Sequence, residues 1–204
     1  MWDQKYNEKG FIYGTEANDF LKSESFRIPQ KGRVLCLAEG EGRNAVFLAL
    51  QGYSVTAVDQ SEVGLIKANK LALEYGVEIT TVVADLSDYD FGIEVWDGIV
   101  SIFAHVPLIL REKLHTQVVR SLKQDGIFIL EAFTEEQLIM NGIGGPPASQ
   151  KELFMSLEQL RCELQSLELI SGVEVQRTIS EGKHHQGESA VVQVVACKKG
   201  SIKD

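Results

Sequence analysis

Short apolar runs of strand length alternate along most of this chain with longer segments of helical periodicity. The runs predict strands at 33–38, 54–58, 78–83, 96–102 and 126–131, and the longer segments predict helices at 43–51, 61–75 and 108–122. Alternation of this kind is typical of βαβ units with right-handed crossovers. The chain is therefore expected to build an α/β fold around a parallel sheet.

The last quarter of the chain follows a different pattern. A helical segment at 157–164 precedes two strand patterns, 167–179 and 189–198, and the polar, glycine-containing connection at 180–188 suits a hairpin. Five parallel strands finished by an antiparallel hairpin is the predicted architecture. The irregular segment 141–149, which is rich in glycine and proline, lies after the fifth strand, where a substrate lid is expected.

Composition narrows the classes of partner. The chain has 204 residues, 44% of them hydrophobic, which suits one domain with a substantial core. A net charge of −9 disfavours nucleic acid and anionic membranes as partners and favours a small molecule. No apolar run approaches the ~20 residues of a membrane span, and no signal peptide opens the chain, so a soluble, cytoplasmic protein is expected. The scattered cysteines, Cys36, Cys162 and Cys197, predict buried thiols and no metal site.

A glycine turn connects the first predicted strand to the first long helix. The strand runs into Glu39-Gly40-Glu41-Gly42, and the helix begins with Arg43 and Asn44. Glycines can adopt positive φ values and, having no Cβ, let backbone approach a ligand closely. In an open α/β sheet the ligand crevice lies outside the carboxyl ends of the strands, so this turn predicts a cofactor site. Arg43 and Asn44 are candidates for holding a cofactor carboxylate, and Arg43 equally for holding a backbone carbonyl.

An acidic residue follows the second predicted strand. Asp59 stands 17 positions beyond Gly42 and is followed by Gln60 and Ser61. A carboxylate at this position can accept hydrogen bonds from both hydroxyls of a ribose, because it has two acceptor oxygens. The alternative role for Asp59 is to cap the helix that begins near Ser61.

A second acidic residue follows the third strand. Asp85 could accept a hydrogen bond from an adenine amino group, and Leu86 offers a backbone N–H and an apolar surface for the ring. The alternative is that Asp85 belongs, with Asp88 and Asp90, to a solvated turn.

The charge of the turn distinguishes between two cofactors, a dinucleotide and S-adenosylmethionine. Gly40-x-Gly42-x-x-Ala45 has the dinucleotide spacing, but that motif presents a helix N-terminus to a pyrophosphate. Glu39 and Glu41 oppose such a group, since two like charges ~5 Å apart at an effective dielectric of ~20 repel by roughly 3 kcal/mol. S-adenosylmethionine carries a sulfonium and an ammonium and no phosphate, so the sequence favours it.

Candidate catalytic groups follow the fourth strand. His105 would lie at the mouth of the crevice, where an imidazole could accept a proton, and Phe103 could line the path of the methyl group. His105 could instead be a residue at the start of a helix before Pro107, and Phe103 could belong to the core. His184 and His185 are expected to be solvated in the hairpin connection, and His115, in the middle of a predicted helix, is expected at the surface.

With these residues in place, the chain resembles the class I S-adenosylmethionine-dependent methyltransferases, and in particular the small group similar to the tellurite-resistance methyltransferases. The resemblance rests on segments spread over most of the chain: 40–44, 58–59, 84–86, 96–100 and 122–127. The opening aromatic segment, with Tyr6 and Tyr13, is similar to the part of that group that covers the cofactor. The resemblance implies a Rossmann-like three-layer sandwich with a seven-stranded, mostly parallel sheet in the order 3-2-1-4-5-7-6, strand 7 being antiparallel. It also implies a single methyltransferase domain over 1–204, with a cofactor-covering segment at 1–30 and a core at 31–204.

Two positions depart from the family pattern. Cys36 stands where an acidic residue is usual, and Ala38 stands where glycine is usual. Glu39, at a position where a small residue is common, is interpreted as replacing the missing charge.

The predicted function is methyl transfer from S-adenosylmethionine to a small-molecule nucleophile. No Asn-Pro-Pro-aromatic or Asp-Pro-Pro-aromatic sequence follows the fourth strand, which further disfavours methylation of nucleic-acid bases. Two alternatives remain at this point, an NAD(P)-dependent oxidoreductase and a non-catalytic S-adenosylmethionine-binding protein. A monomer or homodimer is expected.

Overall fold

The computed structural model describes residues 2–200, which form one seven-stranded sheet in the order β3-β2-β1-β4-β5-β7-β6. The strands are β1 (Arg33–Leu37), β2 (Ser54–Asp59), β3 (Thr80–Val83), β4 (Trp96–Ile102), β5 (Leu122–Phe133), β6 (Glu168–Glu181) and β7 (His185–Cys197). The pairings among β1 to β5 are parallel, and β7 runs antiparallel between β5 and β6. The predicted fold class, strand order and antiparallel strand 7 are confirmed.

The helices lie on both faces of this sheet. They are α1 (Trp2–Tyr6), α2 (Asp19–Glu24), α3 (Arg43–Leu50), α4 (Glu62–Glu74), α5 (Leu108–Ser121) and α6 (Leu157–Glu163), with short 3₁₀ turns at Ser25–Arg27, Glu135–Ile139 and Lys151–Leu153. Serine side chains cap the N-termini of two of these helices. The Ser61 side chain accepts a hydrogen bond from the N–H of Gly64 to cap α4, and Ser156 and Gln159 form a capping box on α6.

The alternating directions of the β1 side chains explain why helices cover the sheet on both faces, which gives the fold three layers. Val34 and Cys36 pack with the α3 and α4 side of the core, whereas Leu35 and Leu37 pack with the α5 and α6 side. Successive side chains of a strand point to opposite faces, so a strand that is apolar throughout needs a cover on both. This central strand brings its carboxyl end, and the glycine turn after it, to the middle of the sheet edge.

Several local predictions were wrong. The hairpin connection is 182–184 rather than 180–188, because Glu181 already pairs with His185 in the antiparallel register. Strand β5 begins at Leu122, where α5 has ended, and not at 126. The cysteines differ in environment, Cys36 being buried, Cys162 exposed and Cys197 half-buried. Within residues 2–200 no helix is long and apolar enough to cross a membrane.

Candidate functional site

A cavity of about 660 Å³ opens at the carboxyl ends of the strands. Eleven residues predicted to form the site line it. They are Tyr6, Tyr13, Glu39, Arg43, Asn44, Asp59, Gln60, Asp85, Leu86, Phe103 and His105. Three others, Gly40, Gly42 and Ser61, are not among its lining residues. The topology thus gathers residues that are far apart in the sequence around one concave surface.

The two glycines of the turn serve packing of the protein against itself. Gly40 and Gly42 have φ values of +62° and +88°, a region that favours glycine. A Cβ added to Gly42 would lie 2.5 Å from the Cβ of Ala68 on α4, and one added to Gly40 would collide with the Tyr6 hydroxyl. The missing Cβ atoms therefore make room for α4 and the N-terminal segment. The close approach of a cofactor to the backbone of this turn stays a prediction.

Glu39 caps the helix that follows the turn. Its Oε1 accepts hydrogen bonds from the backbone N–H groups of Asn44 and Ala45, at 2.9 Å and 2.8 Å. These are amides that a dinucleotide pyrophosphate would need at this helix N-terminus. Burial raises the pKa of Glu39 to about 7, an effect that the two amides and Arg43 only partly offset. Glu39 therefore changes charge near neutral pH, and a cationic group placed beside it would favour its charged form.

Ala38 and Cys36, the two departures from the family pattern, fit the fold in different ways. Ala38 has a φ of +49°, so its backbone adopts the left-handed conformation, which glycine would adopt with less strain because it has no Cβ. Cys36 is buried within the core, and burial raises the pKa of its thiol. The thiol therefore stays uncharged, and Glu39 is the carboxylate that orders this turn.

Asp59 is held by backbone groups at the edge of the cavity. Its Oδ2 accepts from the N–H of Gly40 and its Oδ1 from the N–H of Ser61, both at 2.8 Å. Ser61, rather than Asp59, caps α4, which leaves the carboxylate facing the cavity. Burial raises the pKa of Asp59. Because each carboxylate oxygen can accept a second hydrogen bond, the residue retains acceptor capacity for ligand hydroxyls.

Ser61 itself is used by the protein. Besides capping α4, its hydroxyl donates to Asp3 Oδ1 at 2.5 Å, which ties the N-terminal segment to this helix. The predicted cofactor contact of the Ser61 side chain is therefore replaced by two internal ones.

Asp85 and Leu86 combine an exposed carboxylate with a buried apolar side chain at the third strand end. Asp85 Oδ1 accepts from the N–H of Ser87 at 2.8 Å, and this backbone hydrogen bond lowers the pKa of Asp85. Leu86 is 7% exposed and Gln60 borders the same side of the cavity. A planar heterocycle could pack on Leu86 with its amino group near Asp85.

Glu41 anchors the N-terminal segment to the glycine turn. Its Oε2 accepts from the N–H of Ile12 at 2.8 Å and from that of Tyr13 at 3.3 Å, and its Oε1 pairs with Lys67 at 2.8 Å. Lys5 Nζ donates to the Tyr13 hydroxyl at 2.5 Å. Burial and the Glu41 charge raise the pKa of Tyr13 to about 12. The segment predicted to cover a cofactor is thus fastened over the cavity by a buried carboxylate.

Arg43 and Asn44 connect the first turn of α3 to other elements. Arg43 Nη2 pairs with Glu181 Oε2 at 2.6 Å, and Nη1 donates to the backbone oxygen of Glu16 at 3.3 Å. Asn44 Oδ1 accepts from the N–H of Asn18 at 3.0 Å. The predicted interaction of Arg43 with a backbone carbonyl is present, and its charge is matched by Glu181.

His105 lines the cavity, but both of its ring nitrogens have backbone partners. Nδ1 lies 2.8 Å from the carbonyl oxygen of Leu153, and Nε2 accepts from the N–H of Phe133 at 3.2 Å. This pattern requires the neutral ring with its proton on Nδ1. Burial lowers the pKa of His105 to about 4. The role of general base predicted for His105 loses its basis here, because no free lone pair faces a ligand.

Two other histidines are placed differently from the sequence expectation. His185 is 9% exposed and lines the cavity, whereas a solvated position was predicted. The prediction failed because the hairpin is tighter than its polar sequence suggests, which brings His185 to the first position of β7. His184, predicted to be solvated, is half-buried beside Tyr13, with ring centroids 6.0 Å apart.

The polar groups of the cavity fit S-adenosylmethionine better than a dinucleotide. Carboxylates from three successive parallel strand ends, Glu39, Asp59 and Asp85, face it. The buried carboxyl of Glu39, with a pKa of about 7, suits a cationic group that would stabilise its charged form, and two helix amides that would bind a phosphate are occupied by that same side chain. Within residues 2–200 no cluster of three or more metal-ligating side chains is present.

Comparison with known proteins agrees with this geometry. Residues 34–126 match the family model described as a methyltransferase domain. A curated relative, the uncharacterized methyltransferase YbaJ of Bacillus subtilis, is 37% identical over 103 residues. That match covers 50% of this chain and 40% of the relative, so the aligned part spans less than half of the relative's length.

Solved structures share the fold over nearly the whole chain. A protein studied in the conversion of a disulfide bond into a thioacetal group during echinomycin biosynthesis superposes with a TM-score of 0.77 at 18% identity, over 97% of this chain and 91% of that one. TehB from Haemophilus influenzae gives a TM-score of 0.70 at 19% identity, over 97% of this chain and 66% of that one. The PH0226 protein from Pyrococcus horikoshii gives 0.71 at 18% identity, over 96% and 99%. The resemblance predicted from the sequence is confirmed.

Proposed function

We propose that this chain transfers a methyl group from S-adenosylmethionine to a small molecule. The premise is that it has the fold and the domain signature of the class I S-adenosylmethionine-dependent methyltransferases. The observation that carries the proposal is the state of the helix N-terminus after β1. Glu39 occupies the amides of Asn44 and Ala45, so these donors are not available to a pyrophosphate, and a cationic ligand would stabilise the charged form of this carboxyl.

The residues that would hold the cofactor follow from their chemistry. Asp59 would accept from the ribose hydroxyls, Asp85 from the adenine amino group, and Leu86 would pack on the ring. Glu39 would attract the ammonium or the sulfonium. The cofactor supplies an electrophilic methyl group on a positively charged sulfur.

The protein's contribution is then mainly alignment and exclusion of water. Tyr6 and Tyr13 cover one side of the cavity, and Phe103 and Phe133 stack with ring centroids 4.5 Å apart on another. The cavity volume of about 660 Å³ suits a cofactor with a small acceptor and supports a small molecule over a macromolecular substrate.

The test is methyl transfer itself. The protein is incubated with methyl-labelled S-adenosylmethionine and a panel of thiols, phenols, amines and selenite, and the formation of labelled product and S-adenosylhomocysteine is measured. Transfer to at least one acceptor is expected, with Asp59→Asn weakening cofactor binding about tenfold or more through loss of a charged hydrogen-bond acceptor. The matched control Asp88→Asn, at a solvent-exposed position, should behave as wild type. If the protein neither binds S-adenosylmethionine nor transfers its methyl group to any acceptor, the proposal is contradicted.

A further inference from the structure

We propose that His185 is the proton acceptor of this site and that the methyl acceptor is an uncharged, largely apolar molecule bearing a thiol or phenol hydrogen. This inference rests on the proposed function. It concerns a residue that the sequence pattern had assigned to solvent and that neither the fold nor the turn after β1 requires.

His185 is a buried histidine with one ring nitrogen that lacks a hydrogen-bond partner. Its Nδ1 is buried without a hydrogen-bond partner, and the ring lines the cavity. Aromatic side chains hold the ring on several sides, with centroid distances of 4.6 Å to Tyr13, 4.6 Å to Phe103 and 5.3 Å to Phe133. A buried polar side chain without a partner costs free energy, and such groups are uncommon unless a ligand or a function uses them.

Glu181 sets the orientation and tautomer of this ring. Its Oε2 lies 3.7 Å from His185 Nδ1, close enough to attract a proton on that nitrogen. Burial opposes ionisation of Glu181, but His185 and Arg43 hold the pKa of Glu181 at about 2, so the carboxylate is charged. A carboxylate facing Nδ1 favours the Nδ1–H tautomer and leaves the Nε2 lone pair as the acceptor. The pairing is that of a general base with an orienting carboxylate.

The charge state of His185 suits a base. Burial lowers the pKa of His185, and Arg43 of α3 and Lys5 of α1 act in the same direction, while Glu181 of β6 opposes them. The other titratable groups facing the ring are Tyr13 of the N-terminal segment and His105 after β4. The imidazole is therefore neutral near pH 7 and can accept a proton.

The lining around His185 defines the acceptor. Phe103 and Phe133 pack against the His185 ring, and the segment after β5 adds the apolar side chains of Pro146, Pro147 and Leu153 to the lining, together with the polar Gln150 and Glu152. Arg43 is already paired with Glu181, whereas Lys5, which donates to the Tyr13 hydroxyl, keeps its charge. An oxyanion would have to share Lys5 with carboxyl groups of the same lining, such as Glu152, and would lose its hydration, which is unfavourable. An uncharged molecule avoids that penalty but must lose a proton when it reacts.

The proposed reaction is one methyl transfer accompanied by one proton transfer. The acceptor sulfur or oxygen forms the bond to the methyl carbon, the carbon–sulfonium bond breaks with its electron pair going to the cofactor sulfur, and the acceptor proton goes to Nε2 of His185. The resulting imidazolium, next to the Glu181 carboxylate, then releases the proton to water.

The test compares acceptors that differ in acidity. An alkanethiol and a simple phenol hold their protons at neutral pH, whereas thiophenol is a much stronger acid, and selenite represents the oxyanions. Wild type is expected to methylate the alkanethiol or the phenol and not selenite. His185→Gln should lower kcat/KM for that acceptor about 10²- to 10⁴-fold but lower it much less for thiophenol. Which of the two acceptors reacts distinguishes thiol from phenol chemistry.

Control variants separate chemistry from folding. His185→Phe keeps an aromatic ring among Tyr13, Phe103 and Phe133 without a nitrogen, so it serves if the glutamine variant does not fold. His184→Gln makes the same change one residue earlier, outside the cavity lining, and should stay within about twofold of wild type. S-adenosylhomocysteine binding, measured for every variant, reports whether the site is intact.

The tautomer of His185 can also be measured directly, without enzyme turnover. The chain has four histidines, so ring-nitrogen NMR spectra can resolve them. The expected spectrum shows His185 as the neutral Nδ1–H tautomer, with Nε2 shifting when the thiol or phenol is added beside S-adenosylhomocysteine. Folded His185 variants with unchanged alkanethiol and phenol activity, an equal loss for all acceptors, or a preference for selenite overturn this inference. Failure of wild type to bind the cofactor overturns instead the proposed function.

Discussion

Glu39 and Glu41 flank a single glycine, yet the fold gives their carboxylates different partners. Glu39 caps α3 and faces the cavity, while Glu41 is 3% exposed and binds the N-terminal segment and Lys67. From the sequence, both were predicted to repel a pyrophosphate. That conclusion holds for Glu39 on stronger grounds than charge counting, because it occupies the helix amides.

The raised pKa of Glu39 predicts a specific dependence of stability on pH. The folded protein keeps this proton up to about pH 7, whereas the unfolded chain releases it near 4.5. Between these values the unfolded state binds fewer protons, so stability falls as pH rises and becomes constant above about pH 7. Relative to Glu39→Gln, the wild-type free energy of unfolding should fall by about 3 kcal/mol over this window.

Urea unfolding of both proteins at about pH 5 and about pH 7.5 measures this difference. Groups that titrate in both proteins cancel in the comparison. A wild-type advantage that grows with pH would mean that Glu39 is stabilised as an anion, contrary to its burial.

Sequence reasoning at the level of single residues succeeded where position in a strand determined the environment. Asp59, Asp85 and Phe103 follow strand ends, and the topology places all of them at one cavity. It failed for His115, expected at the surface, which is buried with Nδ1 2.6 Å from Glu163 Oε2. It failed also for His185. Both depend on long-range contacts, across 48 residues for His115, that no local pattern records.

Among the elements, the N-terminal segment depends most on one side chain. Glu41→Ala removes the acceptor for the amides of Ile12 and Tyr13 and leaves Lys67 without its buried partner. We expect the segment to open more readily, by about 3 kcal/mol, because breaking a buried pair leaves an uncompensated charge. Amide hydrogen exchange of Ile12 and Tyr13 measures the opening.

The matched control is Glu62→Ala, at the exposed first residue of α4, which should change protection of those amides by less than about 1 kcal/mol. S-adenosylhomocysteine affinity should fall in the Glu41 variant alone. Unchanged exchange at both amides would show that the aromatic contacts of Trp2 and Tyr6, not Glu41, fasten the segment.

Periodicity was sufficient to predict the seven strands and the helices α3 to α6 in chain order, but not α1 and α2. It was insufficient for the β6–β7 hairpin, because the residues at 180–188 are polar and resemble a loop. In the structure 180–181 and 185–188 continue the strands, Glu181 pairs with Arg43, and His185 lines the cavity. In sequence, polar residues that line a site cannot be distinguished from the polar residues of a solvent-exposed loop.

At the scale of the whole molecule, a buried polar network joins Asn18 of the N-terminal segment to β5, β6 and β7. Asn18 donates to Glu131 and Glu181, and Arg177 pairs with Glu131 through Nε at 2.8 Å and Nη2 at 2.9 Å. Glu131 also accepts from Gln193 at 2.7 Å. The two carboxylates are thus balanced by Arg43 and Arg177, so the network carries no net charge.

This network predicts a large cost for removing its central anion. Glu131→Ala should lower the global free energy of unfolding by about 3–5 kcal/mol, because Arg177 would lose its two-point partner and Asn18 and Gln193 would lose a buried acceptor. Urea unfolding measures the loss. Glu168→Ala, an exposed partner of Lys199 at the start of β6, is the control and should cost less than about 1 kcal/mol. Equal effects of both substitutions would contradict the assignment of a stabilising role to the buried network.

The central claim is that the cavity at the carboxyl edge of the sheet binds S-adenosylmethionine and excludes a dinucleotide. Isothermal titration of the wild-type protein with S-adenosylhomocysteine and, separately, with NADH tests it most directly. We predict binding of S-adenosylhomocysteine in the micromolar range and no heat of binding with NADH. Tight binding of NADH together with no binding of S-adenosylhomocysteine would contradict the account.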